Sequence, residues 1–324
     1  KILSIMYEYF LGILTFCVVL FMYLHIIYHL KTSNDLEIYT IDSPSKDKLE
    51  EICNIRQPVV FDMYNNQLID NCSLTSLDDK YGAFEISIRD LNKSDDFSEP
   101  YVPLLMKESI ELFKNDTGKK YITEKNSDFL EETCVVKILR YNDYFLRPPF
   151  VAKCMYDFMS GSIDSHTPLR YNLDYRNYYY VTSGKIKIKL VSPQYSKYLY
   201  ENRDYDNFEF SSPLNLWDIQ NQYKGNYDKI KILDVELKEG TIIYIPAYWW
   251  FTIQYQELSS ICSFRYRTYM NILAICPQLI QHILQNQNIK FSSFKKFEDK
   301  PGDKPGDKPE GKPEDKSKNK ANNI

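Results

Sequence analysis

The sequence predicts a mainly β chain with flanking helices, an α+β protein built on an antiparallel barrel or sandwich behind a transmembrane helix. Three observations carry this. From Phe150 onward, short stretches alternate with period two and are rich in β-branched and aromatic residues. Apolar residues at helical spacing flank that stretch on both sides. Ahead of everything lies an uncharged apolar run long enough to cross a bilayer.

The run from Tyr9 to Tyr28 reads YFLGILTFCVVLFMYLHIIY. About 20 residues at roughly 1.5 Å each span about 30 Å, the thickness of the hydrocarbon core. Tyr23, His25, Tyr28 and His29 gather toward its C-terminal end, where amphipathic rings favour the water interface. A cleaved signal peptide fits poorly, because the run is too long and no small-x-small site follows before Lys31. Lys31, Lys46 and Lys48 follow the span and only Lys1 precedes it, which turns the large C-terminal part toward the cytosol. Sequons at Asn71, Asn92 and Asn115 would suit a lumenal domain, but arise by chance in an Asn-rich chain. His25 and His29 share a helix face, which reads as interface anchoring.

The layout is then a flank over 1–8, the transmembrane helix over 9–30, an α+β part over 31–149, a β core over 150–269, a terminal helix over 270–290 and a tail over 291–324. Ser43 or Ser45 can cap a helix over Lys48–Ile55, leading into a strand at Pro58–Asp62. Leu104–Asn115 reads as a helix, with Leu104, Leu105, Ile110, Leu112 and Phe113 on one broad side. Lys185–Leu190 alternates lysine with apolar residues, and Ile230–Leu237, Thr241–Ile245, Trp249–Tyr255 and Ile261–Tyr269 continue the strands. Asn271–Ile289 is apolar at helical spacing, with Pro277 marking a kink or break. In the tail, Lys-Pro recurs every four residues from 300, a period that excludes collagen and predicts disorder.

With 44% hydrophobic and 26% charged residues in 324, the chain has ample material for a core. A net charge of −4 argues against a nucleic-acid binder. Ten glycines, and neither G-x-G-x-x-G nor G-x-x-x-x-G-K-[ST], remove the common nucleotide signatures. Seven cysteines without a C-x-x-C pair read as reduced, buried thiols rather than a zinc site. Only four histidines are present: His25, His29, His166 and His282. No G-x-S-x-G occurs, and the acidic pairs Asp78-Asp79 and Glu131-Glu132 lie in polar stretches that read as solvated.

Two segments resemble a known family. Lys238-Glu-Gly-Thr-Ile-Ile-Tyr-Ile-Pro-Ala-Tyr-Trp-Trp250 is similar to the G-D-x-x-x-I-P-x-x-W-W-H segment of cupin-like, Jumonji-C-type proteins, of the hypoxia-inducible-factor asparaginyl hydroxylase type. Upstream, Thr167-Pro-Leu-Arg-Tyr-Asn172, Asn177-Tyr-Tyr, and Gly184 leading to Pro193 resemble that family's T-P-x-H-x-D, N, and G-x-K leading to P. The match covers roughly residues 50–285, and the added anchor with Lys/Asn/Ile/Tyr-rich composition is similar to cupin-like proteins of giant DNA viruses.

The resemblance implies a double-stranded β-helix, a jelly-roll barrel with one open mouth. In the family's enzymes, two histidines and a carboxylate hold Fe(II) there beside 2-oxoglutarate. The corresponding positions are Arg170, Asn172 and Phe251, none of which supplies a comparable ligand. No cofactor is therefore expected, and the expected role is binding or scaffolding, the alternative being a hydroxylase with atypical ligands, such as His166, Asp174 and a tyrosine. Arg170 puts a cation where the iron charge would sit. With Asn177, Lys187, Arg265 and Arg267 it would make an anion-accepting pocket; otherwise the Lys185, Lys187 and Lys189 face is solvent-exposed and Arg170 pairs with Asp174 or Asp164. The mouth, the aromatic cluster Tyr248–Phe251 and the terminal helix are the candidate contact surfaces, and relatives imply a homodimer through that helix.

Overall fold

The computed structural model describes residues 2–91 and 101–298. In chain order the elements are α1 (Ile2–Leu30), β1 (Tyr39–Ile41), α2 (Lys46–Cys53), β2 (Val59–Asp62), α3 (Asn66–Cys72), α4 (Leu74–Tyr81), β3 (Glu85–Asp90), β4 (Tyr101–Leu105), α5 (Met106–Asn115), β5 (Tyr121–Thr123), α6 (Ser127–Glu132) and α7 (Val135–Asn142). Then come β6 (Val151–Gly161), β7 (Leu169–Tyr171), β8 (Arg176–Ser183), β9 (Lys185–Val191), β10 (Asn202–Asp204), β11 (Glu209–Ser212), α8 (Lys224–Tyr227) and β12 (Ile232–Lys238). The chain closes with β13 (Thr241–Tyr244), β14 (Trp250–Tyr255), β15 (Ser260–Thr268), α9 (Tyr269–Ala274) and α10 (Cys276–Glu298). Residues 1–282 form one compact unit, and the described part of the second, 283–298, is helical.

Among the described residues the strands make two sheets, ordered β1-β2-β13-β8-β15-β6-β5-β3-β4 and β10-β11-β7-β14-β9-β12. Apart from β1 with β2, the pairings are antiparallel. Period-two alternation decides what lies between and outside them. Tyr179 and Val181 of β8, Ile243, Ile261 and Met159 face Ile186, Ile188 and Leu190 of β9 and Phe251, Ile253 and Tyr255 of β14 across the barrel interior. Tyr178 and Tyr180, one residue out of phase, leave the larger sheet on its other side and pack under α2–α7 with Phe61, Phe113 and Leu139. On the outer side of the smaller sheet, Leu169, Tyr171, Val191 and Trp250 form a third cluster with Phe210 and Ile275.

This alternation splits the Trp-Trp pair. Trp249 packs inside the barrel and Trp250 outside the smaller sheet, both fully buried. Phe251 is equally buried, so these three rings are core, whereas Tyr248 is half-buried and lines a cavity beside Tyr171 and Glu201. The turn from β8 into β9 needs Gly184: its φ is +77, and a Cβ there would lie 2.9 Å from the Ser259 backbone.

Several boundaries differ from the sequence expectation. Leu104 and Leu105 belong to β4, paired with β3, so the following helix begins at Met106. The expected helix over Asn271–Ile289 is two helices separated at Ile275, with Pro277 in the first turn of α10, where a missing N–H goes unneeded. The terminal helix runs past 290 to Glu298; the rest of the expected disordered tail and the Asn92 sequon lie outside the described residues. Of the cysteines, Cys53, Cys72 and Cys262 are buried, whereas Cys17, Cys134 and Cys276 are exposed, because each of the latter sits on an outward-facing helix position or helix end.

Met6–Leu30 is long and apolar enough to cross a membrane, with a mean hydropathy of 2.5. Its last turn docks on the barrel. The His29 ring lies 5.1 Å from that of Tyr175, and its Nε2 is 3.3 Å from the Thr268 hydroxyl. The Arg56 guanidinium packs on the rings of Tyr28 and Tyr175, at 5.4 and 4.6 Å.

Trp249→Ala should reduce stability by about 3–5 kcal/mol, because the ring is fully buried between the sheets. Urea denaturation of the detergent-solubilised chain measures this, and a loss below about 1 kcal/mol would contradict the packing described.

Candidate functional site

β7 is short, and its alternation sends Leu169 and Tyr171 outward and Arg170 into the barrel mouth. Arg170 is paired across the strands with Phe251 of β14, its guanidinium 5.8 Å from that ring. The Phe251 ring lies 5.2 Å from that of Tyr179, whose hydroxyl accepts a 2.9 Å hydrogen bond from the Asn172 amide. Arg170, Asn172 and Phe251 therefore meet around one point, joined through Tyr179.

A carboxylate missed in the sequence pairs with Arg170. Glu124, directly after β5, is 1% exposed and lies 2.6 Å from Arg170 Nη2. The contact is one of charge rather than a linear hydrogen bond. Its other oxygen accepts from the Tyr101 hydroxyl at 2.8 Å and from Arg89 at 3.2 Å. Arg89 also reaches Glu209 of β11 at 3.1 Å, and Lys125 approaches the same carboxylate at 3.5 Å. Two guanidiniums and two carboxylates thus form a network that ties an edge of the larger sheet to the smaller one.

Asp157 on β6 positions Glu124. Its carboxylate accepts from the backbone N–H groups of Lys125 at 2.9 Å and Asn126 at 2.7 Å, holding a turn in which Lys125 has φ +62. Burial pushes the Asp157 carboxyl above its usual value. Burial also pushes Glu124 upward, but Arg170 and Arg89 overcome it and hold the carboxyl well below the usual range. Tyr179 is pushed up to about 12 by burial, against the pull of Arg170.

A family model for the cupin-like domain matches residues 44–272. The chain belongs to that family. No curated protein matches it. In this cupin-like barrel the residues at the mouth do not fit an iron centre. A guanidinium offers no lone pair, Phe251 offers none, Asn172 donates to Tyr179, and Glu124 is taken up by two cations and a phenol. Among the described residues, no group of three or more His, Cys, Asp or Glu is placed to hold a metal ion. His166 instead meets Asn215 at 3.1 Å, Asp174 meets Arg267, and His282 meets the Tyr205 carbonyl, so the substitute set does not converge.

The residues of the expected anion pocket each have a partner within this chain. Arg170 pairs with Glu124, not with Asp174 or Asp164. Arg267 and Arg265 point inward from β15, but both face the buried Asp174 carboxylate, Arg265 at 3.9 Å. Asn177 donates to the carbonyls of Asp174 and Ile245, at 3.0 and 3.2 Å. Lys187 lies on the outer side of the smaller sheet, 3.8 Å from Glu236, because Ile186 and Ile188 take the inward positions. Arg170, Arg265, Arg267 and Lys187 each have a carboxylate of this chain within 4 Å, Arg265 and Arg267 sharing that of Asp174.

Because the folded Glu124 carboxyl is depressed, its stabilising contribution is present above the unfolded value of 4.5 and is lost as pH falls toward the folded value. The stability gap between the native chain and Glu124→Gln should shrink by about 1–2 kcal/mol between about pH 6 and pH 3.5. Urea denaturation at the two pH values checks this; a gap that does not change contradicts an ionised Glu124.

Proposed function

We propose that this is a membrane-anchored cupin-like protein whose barrel serves binding or scaffolding, with no iron-dependent oxygenation. The observation that carries the reading is the Arg170–Glu124 pair at 2.6 Å, standing where the family's enzymes hold metal ligands. A fixed cation neutralised from within supplies the charge of an iron centre without its open coordination positions. The pair also ties β7 to the turn after β5, giving the barrel a rigid rim.

The large domain faces the cytosol in this reading, supported by the lysines at 31, 46 and 48 beyond the span. The composition, rich in Lys, Asn, Ile and Tyr, supports a viral origin. The surface offered to a protein partner, including a second copy, is α10, where Ile280 is 51% exposed.

The detergent-solubilised chain, purified anaerobically with reductant, should carry far less than one iron per chain. It should release no succinate from 2-oxoglutarate. Arg170→His, Asn172→Asp and Phe251→His together should create Mn(II) affinity, measured by calorimetry, because the three positions surround one point. Stoichiometric iron with succinate release from the native chain would reinstate the hydroxylase reading.

A further inference from the structure

The charge-free run from Tyr9 to Leu30, bounded by Glu8 and Lys31, spans roughly 33 Å of helix, close to the hydrocarbon thickness. Phe21 and Leu24 therefore lie roughly 6–10 Å below its Tyr28 end, at acyl-chain or interface depth. The barrel is not held away from this depth by a linker. Phe21, Leu24, His25 and Tyr28 form one wall of an apolar groove of ≈ 640 Å³, and Phe150, Tyr175, Tyr269 and Met270 of the folded domain form the other.

The domain wall is unusual on its own account. Phe150 is 84% exposed and Tyr269 64%, and Leu273 follows one turn along α9 at 40%. Phe150 adopts φ +55, a conformation that costs a bulky residue about 1 kcal/mol or more, and its carbonyl accepts from Tyr269 N–H at 3.4 Å. Strain that turns an aromatic ring into water gains nothing in a soluble protein. Beside a membrane helix, the same ring is placed in lipid.

We propose that the Phe150 loop and α9 insert into the bilayer, and that the groove between them and α1 is filled by lipid acyl chain. This rests on the anchor reading. It makes the barrel a domain seated on the membrane, with a fixed tilt set by two contacts instead of one.

The test uses the full chain in liposomes of phosphatidylcholine carrying a diazirine in the acyl chain, followed by photolysis and peptide mapping. Peptides containing Phe150 and Tyr269–Leu273 should be labelled about tenfold more than the peptide containing Tyr64, since the hydrocarbon excludes water-facing segments. Tyr64 is a fair control: it is 69% exposed and lies against Gly240, whose N–H bonds to Val181, roughly 20 Å along β8 from Tyr175. Labelling of α1 without labelling at Phe150 and α9 overturns the inference and leaves the anchor standing, as when a second copy covers the groove. If α1 is unlabelled as well, the anchor reading fails and the inference falls with it.

Discussion

The Glu124–Arg170 ion pair is the constraint around which the barrel mouth is arranged. Both groups are withdrawn from water, and neither could be buried alone: an isolated ionised side chain in the interior costs many kcal/mol, which pairing offsets only with good geometry and further hydrogen bonds. The chain provides those through Arg89 and Tyr101. Asp157 holds the turn from behind, through the N–H groups of Lys125 and Asn126. A charge that in a metalloenzyme arrives with the ion is here built from side chains on β3, β4, β7 and the turn after β5.

The rest of the molecule gives that network a fixed frame. The interior between the sheets is filled by aromatic and branched side chains up to Phe251 and Tyr179, so the mouth has a solid floor. Cavities open at the α1 groove, near His166 and Thr252, and beside Tyr171, Glu201 and Tyr248. In the last, burial raises the Glu201 carboxyl, while bonds from Arg203 and Tyr171 bring it below its usual value.

Much of the fold was legible because alternation survives in the sequence wherever one sheet face is apolar. Lys185–Leu190 gave a strand with one lysine face and one apolar face, though not which of the two turned inward, and the segment ending in Trp250 identified the barrel. The helices α3, α4, α6 and α7 were not legible: they have six to eight residues each, too short for periodicity to accumulate. Arg170, Asn172 and Phe251 came from the family resemblance, each matching a position in or beside one of its two segments. Glu124 was not, since it lies outside both segments in a polar stretch and pairs across a long loop closure. A lone acid just after the short apolar strand Tyr121–Thr123 was the only signal, and on a single sequence it resembles any solvated turn residue.

A double-mutant cycle on Arg170→Met and Glu124→Leu, followed by urea denaturation, measures the central interaction directly. The account predicts a coupling of about 2–5 kcal/mol, with the double variant more stable than either single one. A coupling near zero would mean that the two charges are solvated independently, and the internally neutralised mouth would have to be abandoned.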